Sequence, residues 1–212
     1  MKLKHRILLG TIVFSGVAFQ GYSLWFKANA QAFFMPSNSM APTLPLGARV
    51  IGWMHAYDAA PPRRGDLALL NLPLSLVSPG TGSGTTFYAK RVVGVPGDRI
   101  ELKRGVLTRN GVVQSEPFTQ WKFGPPYDLK ILNGRVYSRE AGGPWTRSDM
   151  LASSSEEKQL GSSPSQPIPP DRFLVLGDNR GNSNDSHVFG LVPRPAFQGR
   201  IGQQYWPRLR SF

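Results

Sequence analysis

The chain of 212 residues has no cysteine and only three histidines, His5, His55 and His187. A disulfide framework, a thiol nucleophile and a thiolate zinc site are therefore excluded, and imidazole chemistry has few possible sites. Acidic residues are scarce as well, 13 against 25 Lys plus Arg, which leaves a formal net charge of +12. Proteins that bind nucleic acid through such an excess cluster their cations against phosphate. Beyond the N-terminus they come here singly or as pairs such as Arg63-Arg64, Lys90-Arg91 and Lys103-Arg104. With no helix-turn-helix or RNA-binding signature, no nucleic-acid partner is expected. A diffuse positive surface suits anionic lipid headgroups better, provided the chain sits at a membrane. Glycine and proline are abundant, 23 and 19 residues, and cut the sequence into short apolar runs, which argues against a helical bundle. The 40% of hydrophobic residues suffice for a packed core.

One long apolar run is present. Lys2, Lys4 and Arg6 precede Ile7 to Phe26, which carries no charge and only Gln20 as a strongly polar residue. Twenty residues at about 1.5 Å each span about 30 Å, the hydrocarbon thickness of a bilayer. Residues 1–6 are thus expected in the cytoplasm and 7–26 as a single transmembrane anchor. The remaining chain then lies on the outer side, with Trp25, Phe26 and Lys27 at the interface. Ala28-Asn29-Ala30 also fits a signal-peptide cleavage site. A retained anchor is favoured over it because the run exceeds the about 7 to 15 residues of a signal core.

From Ala48 onward β-type runs alternate with turns: Arg49 to Trp53, Asp66 to Leu72, Thr86 to Val95, Arg99 to Leu102, Val106 to Thr108, Val112 to Gln114 and Phe173 to Leu176. Asn110-Gly111 is a hairpin signal, since both residues tolerate positive φ. The expected fold is mainly β: an antiparallel β domain from residues 31–100 and 171–212, with residues 101–170 inserted as a smaller, less regular β-rich domain. Ser153 to Pro170, rich in Ser, Pro and charge, reads as a mobile linker within that insertion.

Three segments hold residues able to do chemistry: Pro36 to Leu44, Tyr88 to Asp98 and Gly177 to Ser186. Each alone could be structural, as caps before prolines, a sheet lysine before a turn, and an Asx-rich loop. A hydrolase needs a nucleophile and a base near neutral pH. His55 or His187 could serve a serine, and so could a lysine whose pKa burial has lowered. Period-2 alternation puts Lys90 on one face with Tyr88 and Val92, and Arg91 on the other with Ala89 and Val93. Of these two only Lys90 could act as a base, because guanidinium stays protonated in proteins.

Taken together, Ser37-Asn38-Ser39-Met40-Ala41-Pro42-Thr43, Arg64-Gly65-Asp66, Lys90 to Asp98 and Gly177 to Ser186 resemble the successive motifs of type I signal peptidases, membrane-anchored Ser/Lys proteases. The resemblance runs from about Pro36 to Pro193. It implies Ser39 as nucleophile and Lys90 as general base. It also implies Ser37 with the Ser39 N–H as the oxyanion hole, Ser183 as the hydroxyl that orients the lysine, and Asp185 as a supporting carboxylate. The implied substrates are exported preproteins with small residues before the cut, and no metal or organic cofactor is implied. Gly181 stands where many members have an acidic residue and His187 where arginine is common, which puts the ion pairing of Asp185 in question. Three alternatives remain at this stage: the related pilin-processing peptidases of conjugative transfer, a Ser/His hydrolase, and a tethered assembly module without catalysis. Phe33, Phe34 and Met35, just ahead of Ser39, are expected to dip into the membrane interface.

Overall fold

The computed structural model describes residues 18–74, 83–140, 142–148 and 163–212. Among these, two antiparallel sheets form the fold. The larger runs in the order β1 (Ala30–Phe34), β2 (Arg49–Met54), β13 (Phe197–Trp206), β3 (Leu67–Pro73), β4 (Thr85–Gly94), β11 (Arg172–Leu176) and β12 (Val192–Pro193), with β14 (Arg210–Ser211) beside β13. The smaller runs β10 (Thr146–Ser148), β9 (Arg135–Glu140), β8 (Tyr127–Leu132), β5 (Ile100–Lys103), β6 (Val106–Arg109) and β7 (Val112–Val113).

Strand β3 is apolar at nearly every position because the larger sheet is covered on both faces there. Leu67 and Leu69 pack with Met35, Met40, Leu44 and Val50, while Ala68, Leu70 and Leu72 pack with Val92, Phe173 and Val175. Each fully buried side chain of this kind contributes about 1.5–3 kcal/mol. A third cluster, including Val93, Ile100, Leu129, Ile131 and Leu174, joins the two sheets. The turn between them is held by buried Asp98, which accepts the Val95 N–H and both arms of Arg64, at 2.7 and 2.6 Å. Burial alone would raise that carboxyl; the Arg64 fork and the Val95 N–H outweigh it and hold it below the ordinary carboxylate range.

Several expectations change. Strands β8 to β10 lie in the stretch expected as a smaller, less regular β-rich insertion: strand content is as expected there and the regularity is greater, and Asn133-Gly134 turns β8 into β9 with positive φ at both residues. The described end of the supposed mobile linker is packed: Ser165 and Ile168 are buried, and Gln166 and Ile168 donate backbone bonds to Ile131 and Asp98. Its residues 153–162 lie outside the described part. So does most of Ile7 to Phe26; residues 18–29 are helical, and among the described residues no helix is long and apolar enough to cross a membrane. The rings of Trp25 and Phe26 reach Trp53 of β2 at 6.0 and 5.5 Å. Phe33, Phe34 and Met35 do not act together. Strand alternation sends Phe33 and Met35 into the cluster under β3, where Phe33 also meets Phe87, and leaves Phe34 outside.

Candidate active site

The segment carrying Ser37 and Ser39 follows β1. Met40 and Leu44, fully buried, pin it to the core, and backbone bonds between Met35, Gly47 and Ala48 close its base. The polar residues between these anchors are left half-buried or exposed. From the opposite side the Asn179 N–H donates to the Ser39 carbonyl at 3.0 Å, and its side-chain amide donates to the Asn38 carbonyl at 3.2 Å.

Lys90 lies on β4 with Ala68 of β3 directly opposite, and β11 closes the other flank. Strands on both sides and packed side chains desolvate this lysine, which is only 2% exposed. Its ammonium reaches the Ser39 hydroxyl at 2.9 Å, and the Ser37 hydroxyl is 3.1 Å from that same oxygen. Burial lowers the lysine from its ordinary value of 10.5 to about 8, against the opposing pull of the Asp185 and Asp178 carboxylates.

The loop after β11 carries the remaining candidates. Gly177 has no room for a side chain, since a Cβ there would come within 2.5 Å of the Ser39 carbonyl and 2.2 Å of the Ser183 hydroxyl. Asp185 is fully buried and accepts the Gly177 N–H at 2.8 Å, and the His187 ring nitrogen sits 2.8 Å from its other oxygen. Burial raises this carboxyl, but His187, Lys90 and the Gly177 N–H together hold it below the ordinary range. The pairing put in question by His187 in place of arginine is thus made by imidazole. Ser183 is where the expectation and the geometry part: its hydroxyl is buried beside Gly177 and has no hydrogen-bond partner among the described residues, Lys90 included.

Other residues of the site were not singled out from the sequence, although they lie inside its motifs. Arg91 forks onto Asp178 at 2.8 and 2.7 Å, and the Thr43 hydroxyl donates to the same carboxylate. This triad ties β4, the nucleophile segment and the polar loop together. Arg180 is buried as well, bound to Glu116 and to the Gly177 carbonyl. A buried cation with its own carboxylate is readable from a structure but not from a motif. The Ser/His arrangement is not formed. His55 is an exposed partner of Asp58, His187 is held by Asp185, and the bonds of the Ser39 hydroxyl go to Lys90 and Ser37.

A cleft of about 410 Å³ runs along Ser39 and Lys90, between Phe33 to Met35 on one side and Thr86 to Ala89 on the other. A serine hydroxyl bonded to a desolvated amine, beside a second hydroxyl and along a groove open to an extended chain, has the parts of an acyl-transfer site. The comparisons with known proteins agree with that class. The profile of signal peptidase, peptidase S26, matches residues 7–206. A signal peptidase I of Leptolyngbya laminosa is 32% identical over 84% of this chain and 70% of its own length. Signal peptidase IB of Staphylococcus aureus is 30% identical over 94% of this chain and 90% of its own. A crystallised signal peptidase I of Enterococcus faecalis V583 aligns at 23% identity and a TM-score of 0.38, over 66% of this chain and 95% of that one, a likeness too distant to argue from. The chain therefore belongs to the signal peptidase family, peptidase S26, and is a leader-removing protease.

Proposed function

We propose that the chain cleaves leader peptides from exported preproteins with Ser39 as nucleophile and Lys90 as general base. The observation that carries this is the 2.9 Å contact between the two side chains, made where burial keeps the amine near the titration range of a working base. The Ser39 oxygen attacks the scissile carbonyl carbon while its proton passes to the Lys90 nitrogen. The Ser39 N–H and the Ser37 hydroxyl hold the resulting oxyanion, each donor contributing about 3–4 kcal/mol in comparable sites. The carbon–nitrogen bond then breaks, and Lys90 gives its proton to the departing amine. In the second half Lys90 deprotonates a water that hydrolyses the acyl-serine. Asp185 acts through Gly177 and through its field on Lys90 rather than on substrate.

Residues 7–26 serve as a single-pass anchor in the inner, cytoplasmic membrane, with residues 1–6 inside and the catalytic domain outside. The helical conformation of residues 18–29 supports this reading, as does the outward-facing Phe34 beside the site. General leader removal is favoured over a dedicated pilin-processing role because the relatives above are signal peptidases I. A non-catalytic module would have no use for a buried lysine aimed at a serine.

Incubating the full chain in detergent with a mixture of exported precursors, then measuring product masses, tests the proposal. Cuts should follow small residues and disappear in Ser39→Ala. Cutting that persists in that variant would sink the assignment.

A further inference from the structure

The largest cleft among those described here, about 620 Å³, is not the one along Lys90. It lies between the smaller sheet and the polar loop, and the two clefts share one wall: Asn182 and Asn184 line the first, Gly181 and Ser183 the second. Two residues that line the second cleft each carry a buried donor without an acceptor among the described residues. The Tyr127 hydroxyl and one terminal nitrogen of Arg180 have no hydrogen-bond partner among the described residues, although both residues are more than nine-tenths buried. Burial first, then the Asp185 carboxylate, holds the Tyr127 phenol protonated, so it can only gain by donating. Leaving such groups unpaired is costly unless something arrives to accept.

The mouth of this cleft is strained. Gly124 and Gly181 pass so close that a Cβ on Gly124 would come within 2.5 Å of the Gly181 carbonyl. That approach goes with a left-handed turn at Phe123, φ 69°, whose ring is 81% exposed. A bulky residue is disfavoured in this conformation, and here it sets an aromatic ring at the rim of a cleft one loop away from Ser39.

We propose that this second cleft takes the polypeptide downstream of the scissile bond, with the Tyr127 hydroxyl and Arg180 donating to its backbone carbonyls and Phe123 covering it. The inference rests on the peptidase reading above. The first cleft, lined by Phe33, Met35, Leu69 and Phe87, suits the apolar leader, and a chain leaving Ser39 past Asn182 to Asn184 enters the second. An extended chain offers a row of carbonyl acceptors, which matches donors that carry no acceptor of their own.

The test uses the full chain in detergent and two peptides with the same leader side, one ending a single residue after the cut and the other six residues after it. Wild type should cut the longer peptide with kcat/KM about tenfold higher, about 1.4 kcal/mol. Tyr127→Phe, which keeps the ring stacked on His187, and Phe123→Ala, at an exposed position, should each bring the ratio of long to short towards one. A ratio near one in wild type, or a ratio retained in both variants, overturns the subsite while leaving the peptidase standing. If wild type cuts neither peptide nor any precursor, the peptidase reading itself falls.

Discussion

Lys90 and Arg91 are neighbours on β4, and the sheet treats their charges in opposite ways. Arg91 points to the side where Asp178 waits, takes both carboxylate oxygens, donates to the Gly65 carbonyl and lies 3.8 Å over the Phe118 ring. Lys90 points to the side where the nearest polar group is a serine hydroxyl, and carboxylates act on it only through their field. One cation is fully compensated and ties three segments together. The other is desolvated without a partner of opposite charge, and so holds its proton loosely. Period-2 alternation is enough to separate a compensated cation from a desolvated one whose Cα is only about 3.3 Å along the same strand.

Removing the reactive half should give the largest effect. Ser39→Ala and Lys90→Ala are each expected to lower kcat by about 10⁴-fold or more, and the double variant should be little worse than either, because the two act as a unit. Losses that simply add would show two groups working independently. Next in size is the structural half. Arg91→Ala strands a buried Asp178 carboxylate and should cost about 3–5 kcal/mol of stability. Arg91→Lys should recover only part of this, since a point charge cannot replace the fork. Urea unfolding of the three proteins measures it, and a full recovery by lysine would mean that charge alone matters there.

The third test reverses the sign. A lysine whose folded value is about 8 and whose ordinary value is 10.5 binds its proton less tightly when folded, so folding is penalised below pH 8 and the penalty lifts as pH rises to 10.5. Cleavage should accordingly rise with pH through about 8. Lys90→Met should be more stable than wild type at pH 7 by on the order of 3 kcal/mol, while inactive. A rising limb that vanishes in His187→Ala or His55→Ala would hand the base to histidine. An unchanged urea midpoint for Lys90→Met would show that the lysine is not held against its solvation.

The contrast along β4 also shows what a sequence can and cannot disclose. The strands with dense apolar or β-branched runs, β2 to β6 and β11, lie within two residues of where composition puts them. Strand β13 is hidden in the sequence because Phe-Gln-Gly-Arg-Ile-Gly-Gln-Gln has the composition of a loop. Its glycines are there for packing: a Cβ on Gly202 would fall 2.3 Å from the Trp53 indole nitrogen. Strands β8 and β9 carry a usable signal, Asn133-Gly134, of the same kind as Asn110-Gly111. The serine and lysine of the site could be chosen from chemistry and motif order. The pairings of Arg91 with Asp178, Arg180 with Glu116 and Asn179 with Asn38 could not, because the partners lie 87, 64 and 141 residues apart in sequence and only the fold brings them together.

The smallest effect is expected at Ser183, where resemblance and geometry disagree. Resemblance makes its hydroxyl the group that aims Lys90; the structure leaves that hydroxyl buried near Gly177 with no partner among the described residues. Gly177 presses on Ser183 and on the Ser39 carbonyl alike, so the segment is positioned by backbone packing whether or not the hydroxyl bonds. Ser183→Ala removes an unsatisfied oxygen and breaks no bond. Its stability should change by no more than about 0.5 kcal/mol, or improve, and its rate should fall less than about tenfold with the rising limb near pH 8 unmoved. If the limb instead shifts and the rate falls by a hundredfold or more, the hydroxyl engages Lys90 once substrate is bound. Lys90 would then have a second partner in the working enzyme, and its contrast with Arg91 would be one of partner chemistry, hydroxyl against carboxylate.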